Sequence, residues 1–336
     1  MLKGVVIPAN LPPQYVAAEQ NLKKAKDPEE KIAILEEMWA LLPKHKGTDK
    51  IQADIKRRLS KLKKDAEKKG KGKKGFSMRV ERMGAGQVAV IGPPNSGKSS
   101  LVSLLTNAEP KVAPYPFTTA MPYPAMMPYL DIQVQLVDLP PIAPGHLPFW
   151  VVNIVRNADA EVFVIDASAE DCLDRMEEVV SELDRRMIGL AGGEGRRDAP
   201  AGYLDKRVLL VSNRMDCDNA PANLDIISEF YADRFDVFPF SCAALDEGEV
   251  EKLRKAIFDL LGVIRVYSKQ PGSKPDMGSP FTVRACSTIL DFAAHVHKDF
   301  AKDLKQARVW GSARFDGQAV SRDHVLRDAD IVELSL

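Results

Sequence analysis

The sequence predicts an α/β fold, in which a mainly parallel sheet carries helices on both faces. The first observation behind this prediction is that short apolar runs alternate with helical segments from residue 87 onward. The second is a glycine-rich turn that joins the first apolar run to a helix. The third is a change of composition on either side of this α/β region (81–262), which separates it from an N-terminal helical hairpin and linker (1–80) and from a small C-terminal α+β unit (263–336).

Length and composition exclude several classes of protein. The chain has 336 residues, of which 45% are apolar and 28% are charged, as in an ordinary soluble protein with a substantial core. No apolar stretch approaches the roughly 18 residues of a membrane helix, and the N-terminus lacks the apolar region of a signal peptide. Because Cys172, Cys217, Cys242 and Cys286 lie far apart and form no CxxC pair, we expect reduced thiols in a cytoplasmic protein.

The N-terminal region is predicted to be a basic helical hairpin. Positions 1–80 hold 20 Lys and Arg against 10 Asp and Glu, although the whole chain is neutral. Asp27, Pro28 and Glu30 predict the start of the first helix. The apolar stripes of the two helices are Ile32, Leu35, Met38, Trp39 and Leu42, and Ile51, Ile55, Leu59 and Leu62. The basic residues around the second stripe are Arg57, Arg58, Lys61, Lys63 and Lys64. With the basic linker that follows at 68–75, this arm either binds a phosphate-rich surface or is a solvated helix and linker.

The central region is predicted to contain strands and helices in alternation. The strands are 87–92, 132–138, 161–167, 207–213 and 237–241. The helices begin near Lys98, Pro148, Glu170, Pro221 and Glu247, and residues 189–202 form a glycine-rich loop. In the C-terminal unit, strands are expected at 264–267, 281–285, 308–310 and 331–334, with a helix over 288–300. The alternation in the central region is typical of parallel strands connected by helices.

A phosphate-binding loop is predicted at residues 92–99, which read GPPNSGKS and match G-x-x-x-x-G-K-S between a strand and a helix. Its glycines allow consecutive backbone N–H groups to face an anion, and the N-terminus of the following helix adds positive potential. Lys98 is expected to reach the β- and γ-phosphates, and the Ser99 hydroxyl to bind Mg²⁺. The predicted nucleotide-binding residues of this loop are Gly92, Pro94, Asn95, Ser96, Gly97, Lys98, Ser99 and Ser100.

A second motif predicts that the bound base is guanine. Asn213 and Asp216 lie three positions apart at the end of a predicted strand, about 115 residues after the phosphate loop. The Asp216 carboxylate can accept hydrogen bonds from N1–H and the exocyclic amine of guanine, which disfavours an ATPase. Arg214 stands where guanine-binding proteins usually have a lysine whose stem packs on the base, and arginine can stack similarly. The residues that resemble a further loop, whose backbone contacts guanine O6, are Ser241, Cys242 and Ala243.

The order of these motifs resembles the Obg-related GTPases. Besides the phosphate loop, it includes YPFTT at 115–119, DLPP at 138–141, NRMD at 213–216 and SCA at 241–243. The tail, with KPD at 274–276 and ARVWG at 307–311, is similar to the TGS domain that ends the developmentally regulated GTP-binding proteins. The basic hairpin is also similar to the N-terminal region of that branch. The resemblance therefore covers nearly the whole chain and implies a P-loop GTPase domain followed by a TGS domain.

The resemblance also implies roles for individual residues. Thr119, with Thr118 as the alternative, would be the switch threonine that binds Mg²⁺ when GTP is present, and Asp138 would hold Mg²⁺ through water. Asn95 stands where potassium-activated relatives place a cation-coordinating asparagine, and K⁺ there would stabilise the charge that develops on the transferred phosphoryl group. The alternative for Asn95 is a loop residue that satisfies backbone groups. The metal ligands implied in this way are Ser99, Thr119 and Asp138. The catalytic residues are Lys98, Asn95 and Thr119.

The sequence departs from the family pattern at two adjacent positions. Pro141 replaces the glycine of D-x-x-G, whose N–H normally donates to the γ-phosphate, and proline has no N–H. Ile142 stands where Ras-like proteins have the glutamine that orients the attacking water. His146 is a weak alternative catalytic group, and Gly145 is the next candidate for the missing N–H donor.

These observations together predict a cytoplasmic protein that binds GTP and GDP, requires Mg²⁺ and hydrolyses GTP slowly without a partner. The resemblance implies that this partner is the ribosome or the translation machinery, with the basic arm and the TGS domain in contact with RNA. The alternative is a non-catalytic, nucleotide-dependent module that binds RNA or the ribosome and has lost hydrolysis through Pro141 and Ile142. No membrane contact is expected.

Overall fold

The computed structural model describes Tyr15, Ala18, Glu19 and Leu22 and the ranges 28–42, 48–69, 80–106, 121–145, 147–191, 202–231, 233–244 and 246–335. Its helices are α1 (Pro28–Leu41), α2 (Asp49–Lys69), α3 (Lys98–Thr106), α4 (Phe149–Asn157), α5 (Cys172–Arg185), α6 (Ala220–Tyr231), α7 (Glu247–Leu261), α8 (Ile289–Val296) and α9 (Lys298–Asp303). Its strands are β1 (Gln87–Ile91), β2 (Tyr123–Tyr129), β3 (Ile132–Asp138), β4 (Ala160–Asp166), β5 (Ile188–Ala191), β6 (Leu204–Asn213), β7 (Asp236–Pro239), β8 (Val263–Lys269), β9 (Phe281–Arg284), β10 (Gln306–Trp310), β11 (Gln318–Val320) and β12 (Asp330–Ser335). None of the described helices combines the length and the apolar character needed to cross a membrane.

The larger sheet follows the order β2–β3–β1–β4–β6–β5, and β7 also pairs with β6. β1 lies parallel between β3 and β4, with Val90 opposite Asp138. β4 is parallel to β6, so that Asp166 is opposite Asn213. The carboxyl ends of these strands therefore meet at one edge of the sheet, where polar loops can converge on a ligand.

Helices cover both faces of this sheet, as the sequence predicts. Val155, Met176 and Ile227 of α4, α5 and α6 are buried in the apolar cluster on one face. Leu101 of α3 and Ile257 of α7 are buried in the cluster on the other face. Because both faces are covered, β1 is buried along its whole length and reads as a continuous apolar run after its first residue.

Two strands of this sheet differ from the prediction. β2 is an edge strand that pairs antiparallel with β3, and the sequence does not predict it. Its Pro124 and Pro128 argue against a strand unless the strand lies at an edge or bulge of the sheet, where prolines are tolerated. β5 occupies positions 188–191, so the prediction of a loop from 189 is wrong for its first three residues. Ile188 and Leu190 are buried, which explains why a strand forms beside the glycine. The remaining loop, 192–201, lies outside the described residues.

The N-terminal hairpin packs α1 against α2 and against the start of α4. The buried members of its cluster are Tyr15, Ala18, Ile34, Leu35, Met38, Leu42 and Ile55, and Phe149 packs against them. Trp39, predicted in the apolar stripe, is exposed, because the buried stripe includes Ile34 instead. α2 extends through Lys69, so the predicted linker cannot begin at 68. Asp27 and residues 70–79 lie outside the described residues.

The C-terminal unit forms a second sheet, in the order β11–β10–β12–β8–β9, over a core that includes Phe292, Val309 and Val332. The helix expected over 288–300 is two helices. His297 has an extended backbone (φ −162°, ψ 144°) that ends α8, and its Nδ1 accepts a 3.3 Å hydrogen bond from the Asp299 N–H in the first turn of α9. The three-residue strand β11 is too short to leave an alternating pattern and was missed.

A charged contact joins the two sheets. Asp131, in the turn between β2 and β3, forms an ion pair with buried Arg265 of β8 (Nη1–Oδ1 2.7 Å) and accepts a hydrogen bond from the Tyr267 hydroxyl. Arg265 also pairs with Asp328 (Nη2–Oδ2 2.7 Å). The guanidinium thus bridges a carboxylate of each unit. This arrangement fastens the β2–β3 turn to the C-terminal sheet by charge-assisted hydrogen bonds.

Candidate nucleotide-binding site

The predicted motifs come together at the carboxyl edge of the larger sheet. The phosphate loop follows β1 and leads into α3, Asp138 ends β3, and Asn213 ends β6. The loop at 241–243 follows β7, which is the neighbour of β6. This edge is where open α/β sheets bind ligands, because the connections there can diverge around a crevice.

Two glycines of the phosphate loop are required by close backbone approaches. Gly92 has φ +150°, and a Cβ there would lie 2.2 Å from the Val164 carbonyl oxygen. Gly97 has φ +92°, and a Cβ there would lie 2.2 Å from Nδ2 of Asn213. The loop is therefore pressed against β4 on one side and against the end of β6 on the other. Any larger side chain at either position would displace it.

Lys98 places a buried positive charge within the phosphate loop. Its Nζ donates to the carbonyl oxygens of Gly92 (3.2 Å) and Pro93 (2.7 Å). Burial lowers the pKa of Lys98 to about 8, although the nearby Asp138 carboxylate opposes this shift. An ammonium that donates to neutral oxygens of the phosphate loop, including the Ser96 hydroxyl at 3.5 Å, is suited to neutralise bound phosphate oxygens.

Ser99 and Asp138 form a pair of hard oxygen donors beside Lys98. The Ser99 hydroxyl donates to Oδ2 of Asp138 at 2.6 Å, while Oδ1 is buried and has no hydrogen-bond partner among the described residues. Burial raises the pKa of Asp138, and the hydrogen bond from Ser99 and the charge of Lys98 act against this rise. An orphaned carboxylate oxygen next to a hydroxyl fits Mg²⁺, which prefers oxygen ligands and is commonly shared with phosphates.

The base-recognition motif is tied to the phosphate loop. Asn213 donates from Nδ2 to the Ser96 carbonyl oxygen (3.0 Å), and its Oδ1 accepts from the Cys242 N–H (3.3 Å). The Ser241 hydroxyl donates to Oδ1 of exposed Asp216 and accepts from the Ala243 N–H (3.2 Å). Asn213 is thus a structural link between three loops, whereas the Asp216 carboxylate remains accessible to a base.

Arg214 has a partner that sequence reasoning missed. Its Nη1 lies 2.6 Å from Oδ2 of Asp166, the last residue of β4, and its Nη2 donates to the Asn95 carbonyl oxygen at 3.4 Å. The sequence signal that could indicate Asp166 as a site residue is its place at the end of a parallel strand, where Asp138 and Asn213 also lie. No motif marks it, so its place in the site emerges only from the pairing of β4 with β6.

The segment after Asp138 is anchored to β1 rather than open to water. The Leu139 N–H donates to the Val90 carbonyl oxygen (3.3 Å) and the Ile142 N–H to that of Gly92 (3.0 Å). The Ile142 side chain is buried in the core, which explains why an isoleucine stands where Ras-like proteins have a glutamine. Pro141, in contrast, is exposed. The alternative donor Gly145 directs its N–H to Oε1 of Glu182 on α5 (3.4 Å).

Some predicted site residues cannot be placed. Thr118 and Thr119 belong to the segment 107–120, and this segment and His146 lie outside the described residues. The described set therefore holds the phosphate loop, Asp138 and both base-recognition segments. The switch threonine remains a prediction.

Two family models match the chain in succession. A model described as 50S ribosome-binding GTPase matches residues 87–192, and a TGS domain model matches residues 264–335. An uncharacterized GTP-binding protein of Methanocaldococcus jannaschii is 27% identical over 91% of this chain and 92% of its own length. Developmentally-regulated G-protein 1 of Arabidopsis thaliana is 27% identical over 91% of this chain and 90% of its own length.

Solved structures support the same fold. The YchF GTPase of Schizosaccharomyces pombe superposes with a TM-score of 0.53 at 14% identity, over 76% of this chain and 100% of that one. A GTP-binding protein of Pyrococcus horikoshii gives 0.51 at 18% identity, over 74% and 99%. The order of the two matched domains, together with the similarity to developmentally-regulated G-proteins along nearly the full length, identifies the chain as a GTPase domain followed by a C-terminal TGS domain.

Proposed function

We propose that this GTPase is a regulatory switch of the ribosome or of ribosome-bound RNA, with slow hydrolysis of GTP to GDP and phosphate until its partner binds. The observation that carries the proposal is the convergence of a phosphate loop, a serine–aspartate oxygen pair and a guanine-type motif at one sheet edge. The match to a family model described as ribosome-binding supports the choice of partner.

Each group at the site has a chemical role in this proposal. Lys98 stabilises the negative charge of the β- and γ-phosphates, and Asp216 reads the base. Ser99, Asp138 and Thr119 hold Mg²⁺, which neutralises phosphate charge when bound. Asn95 holds K⁺ as a further positive charge. The remaining nucleotide contacts are Gly92, Pro94, Ser96, Gly97, Ser100, Asn213, Arg214, Ser241, Cys242 and Ala243.

The partner-binding parts of the proposal are the two units that flank the GTPase domain (81–262). The hairpin arm (1–80) presents exposed Arg57, Arg58 and Lys61 on one helix, and the TGS unit (263–336) lies on the other side in sequence. Exposed lysines and arginines attract RNA phosphates in a salt-dependent way. The location that goes with this proposal is the cytoplasm.

A second candidate function has one observation in its favour. Pro141 cannot donate a hydrogen bond, and Ile142 is committed to the core, so neither supplies the usual γ-phosphate sensor or water-orienting group. In that case the chain binds nucleotide and RNA without useful hydrolysis.

Turnover measured with and without ribosomes separates the two functions. GTP hydrolysis is followed as phosphate release in potassium and in sodium buffers, with Lys98→Met as the control for contaminating activity. We expect slow turnover alone and faster turnover with ribosomes, with potassium exceeding sodium. Turnover equal to that of Lys98→Met under all conditions would favour the non-catalytic function.

Pro141→Gly is expected to strengthen the binding of a non-hydrolysable GTP analogue and to leave GDP affinity nearly unchanged. The glycine restores an N–H, and a hydrogen bond to a charged phosphate contributes about 1.5–3 kcal/mol, or about 10-fold or more in affinity. The variant should also melt slightly lower without nucleotide, because glycine adds freedom to the unfolded chain. Calorimetric titration of both ligands measures the affinities.

Pro140→Gly is the matched control for this substitution, since it adds the same backbone freedom one residue earlier. It should lower the melting temperature without changing the preference for GTP over GDP. Equal analogue affinities in Pro141→Gly and the parent protein would mean that another N–H already closes the loop on the γ-phosphate.

The basic arm is expected to control RNA affinity. Replacement of Arg57, Arg58, Lys61, Lys63 and Lys64 by glutamine should weaken ribosome association and flatten its dependence on salt, because fewer counterions are released. GDP affinity should barely change. The double variant Lys252→Gln and Lys255→Gln is the control for loss of positive charge from a surface outside the arm, because both lysines are exposed on α7, where they pair with Glu249 and Asp259. If the arm substitutions do not change co-sedimentation with ribosomes, the arm is only a solvated helix and does not bind RNA.

A further inference from the structure

Asp166 is a carboxylate at the nucleotide site with no role in the motifs so far described. It ends β4, and its side chain is only 11% exposed. Oδ1 accepts hydrogen bonds from the Ser168 N–H (3.0 Å) and from the Ser168 hydroxyl (2.6 Å). Oδ2 is left to meet Arg214 Nη1 at 2.6 Å. The two oxygens thus have separate tasks: one fixes the carboxylate, and the other faces the base-recognition loop.

Arg214 is held at both ends of its guanidinium. Besides Asp166 at Nη1, it reaches the Asn95 carbonyl oxygen from Nη2 (3.4 Å). Arg214 and Asn95 both have positive φ, of +64° and +60°, which turns each loop sharply at this point. The guanidinium therefore joins the end of β4 to the phosphate loop.

Arginine at this position needs such a partner more than lysine does. A lysine presents a flexible aliphatic stem and a point charge, whereas an arginine presents a plane whose orientation decides what it can stack on. A carboxylate fixes that plane by a charge-assisted hydrogen bond, and burial of the carboxylate strengthens the attraction relative to water. The pair at Asp166 is thus suited to set the plane of the guanidinium before a nucleotide arrives.

We infer that Asp166 is a positioning residue for guanine nucleotides, which orients the Arg214 guanidinium against the nucleoside half of the ligand. The inference rests on the proposed nucleotide site. Since the nucleoside is common to GDP and GTP, loss of the pair weakens both by the same factor. Since stacking on a planar cation does not distinguish guanine from xanthine, base preference is unchanged.

The test is a double-substitution cycle on the full chain with Asp166→Asn, Arg214→Met and the two combined. Kd values for GDP, a non-hydrolysable GTP analogue and XDP are measured by fluorescence or calorimetry. We expect each single variant to lose about 10-fold for all three ligands, as for one charge-assisted hydrogen bond. The combined variant should lose no more than Arg214→Met alone. Asp171→Asn, which removes an exposed pair with Arg175 (2.8 Å), is the matched control and should change nothing.

Several results would overturn the inference. They are unchanged affinity in Asp166→Asn, losses that add independently in the combined variant, or a loss confined to GTP or to one base. If Asp166→Asn fails to fold, Ser168→Ala, which removes the hydroxyl donor to Oδ1 and keeps the N–H donor, has to weaken GDP and the GTP analogue in the same ratio. Asp216→Asn is measured in parallel. If Asp216→Asn leaves guanine preference intact, the proposed base site itself fails, whatever Asp166 does.

Discussion

Asp216→Asn is expected to remove the preference for guanine nucleotides and to create one for xanthosine nucleotides. The carboxylate accepts from N1–H and the exocyclic amine of guanine, and each hydrogen bond to a charged group contributes about 1.5–3 kcal/mol. Loss of both should lower GTP affinity by about 100-fold or more. XTP carries a carbonyl in place of the amine, so the asparagine amide can donate to it and binding is regained.

The variant should remain folded, because Asp216 is exposed and an asparagine still accepts from the Ser241 hydroxyl through its Oδ1. Competition of GTP, XTP and ATP against a fluorescent guanine nucleotide measures the preference. Asp218→Asn, another exposed aspartate two residues later, is the control and should keep guanine selectivity. A strong preference for GTP over XTP and ATP in Asp216→Asn would show that another group reads the base.

Nucleotide affinity is expected to fall about 10-fold for each pH unit above 8, through a single proton on Lys98. Burial lowers the pKa of Lys98 in the free protein to about 8. Bound phosphates favour the ammonium and raise that pKa, so binding above pH 8 must take up a proton. The contribution of Lys98 is therefore complete below pH 8 and is lost as the pH rises toward the pKa of the bound state. Cys242 titrates outside this window, since burial raises its pKa to about 11.

Calorimetry of GDP binding in buffers of different ionisation enthalpy measures the proton uptake directly. Lys98→Met should abolish the uptake and lower affinity by about 100-fold, as expected for two charged hydrogen bonds to phosphate. Lys98→Arg is the control that retains a cation without titration below pH 10. A pH-independent Kd between 8 and 9.5 in the parent protein would mean that Lys98 is already fully charged before nucleotide binds.

The site was predictable where a motif has a physical requirement that shows in residue types. Gly97, for example, is dictated by the approach of Asn213, and the lysine and serine that follow it are the residue types predicted to bind phosphate and magnesium. The helices on both faces were predictable because the strands between them are apolar throughout. These features depend on local sequence or on simple periodicity.

Other features depend on tertiary neighbours and left no local signal. Pro124 and Pro128 are compatible with β2 only because it lies at the edge of the sheet. Ile142 stands where a water-orienting group is expected, and its burial shows that packing in the core favours an apolar residue there. Asp166 is an ordinary strand-ending aspartate until β4 pairs with β6 and brings it to Arg214.

The Asp131–Arg265 contact makes the β2–β3 hairpin a physical link between the C-terminal sheet and the region around Asp138. Tyr123 at the start of β2 is opposite Asp138. At the far end of the hairpin, Asp131 in the turn binds Arg265 and Tyr267 of the C-terminal sheet. With seven residues in each strand, this hydrogen-bonded ribbon is about 20 Å long. The C-terminal sheet and the strand end beside Asp138 are therefore joined by one continuous ribbon of chain.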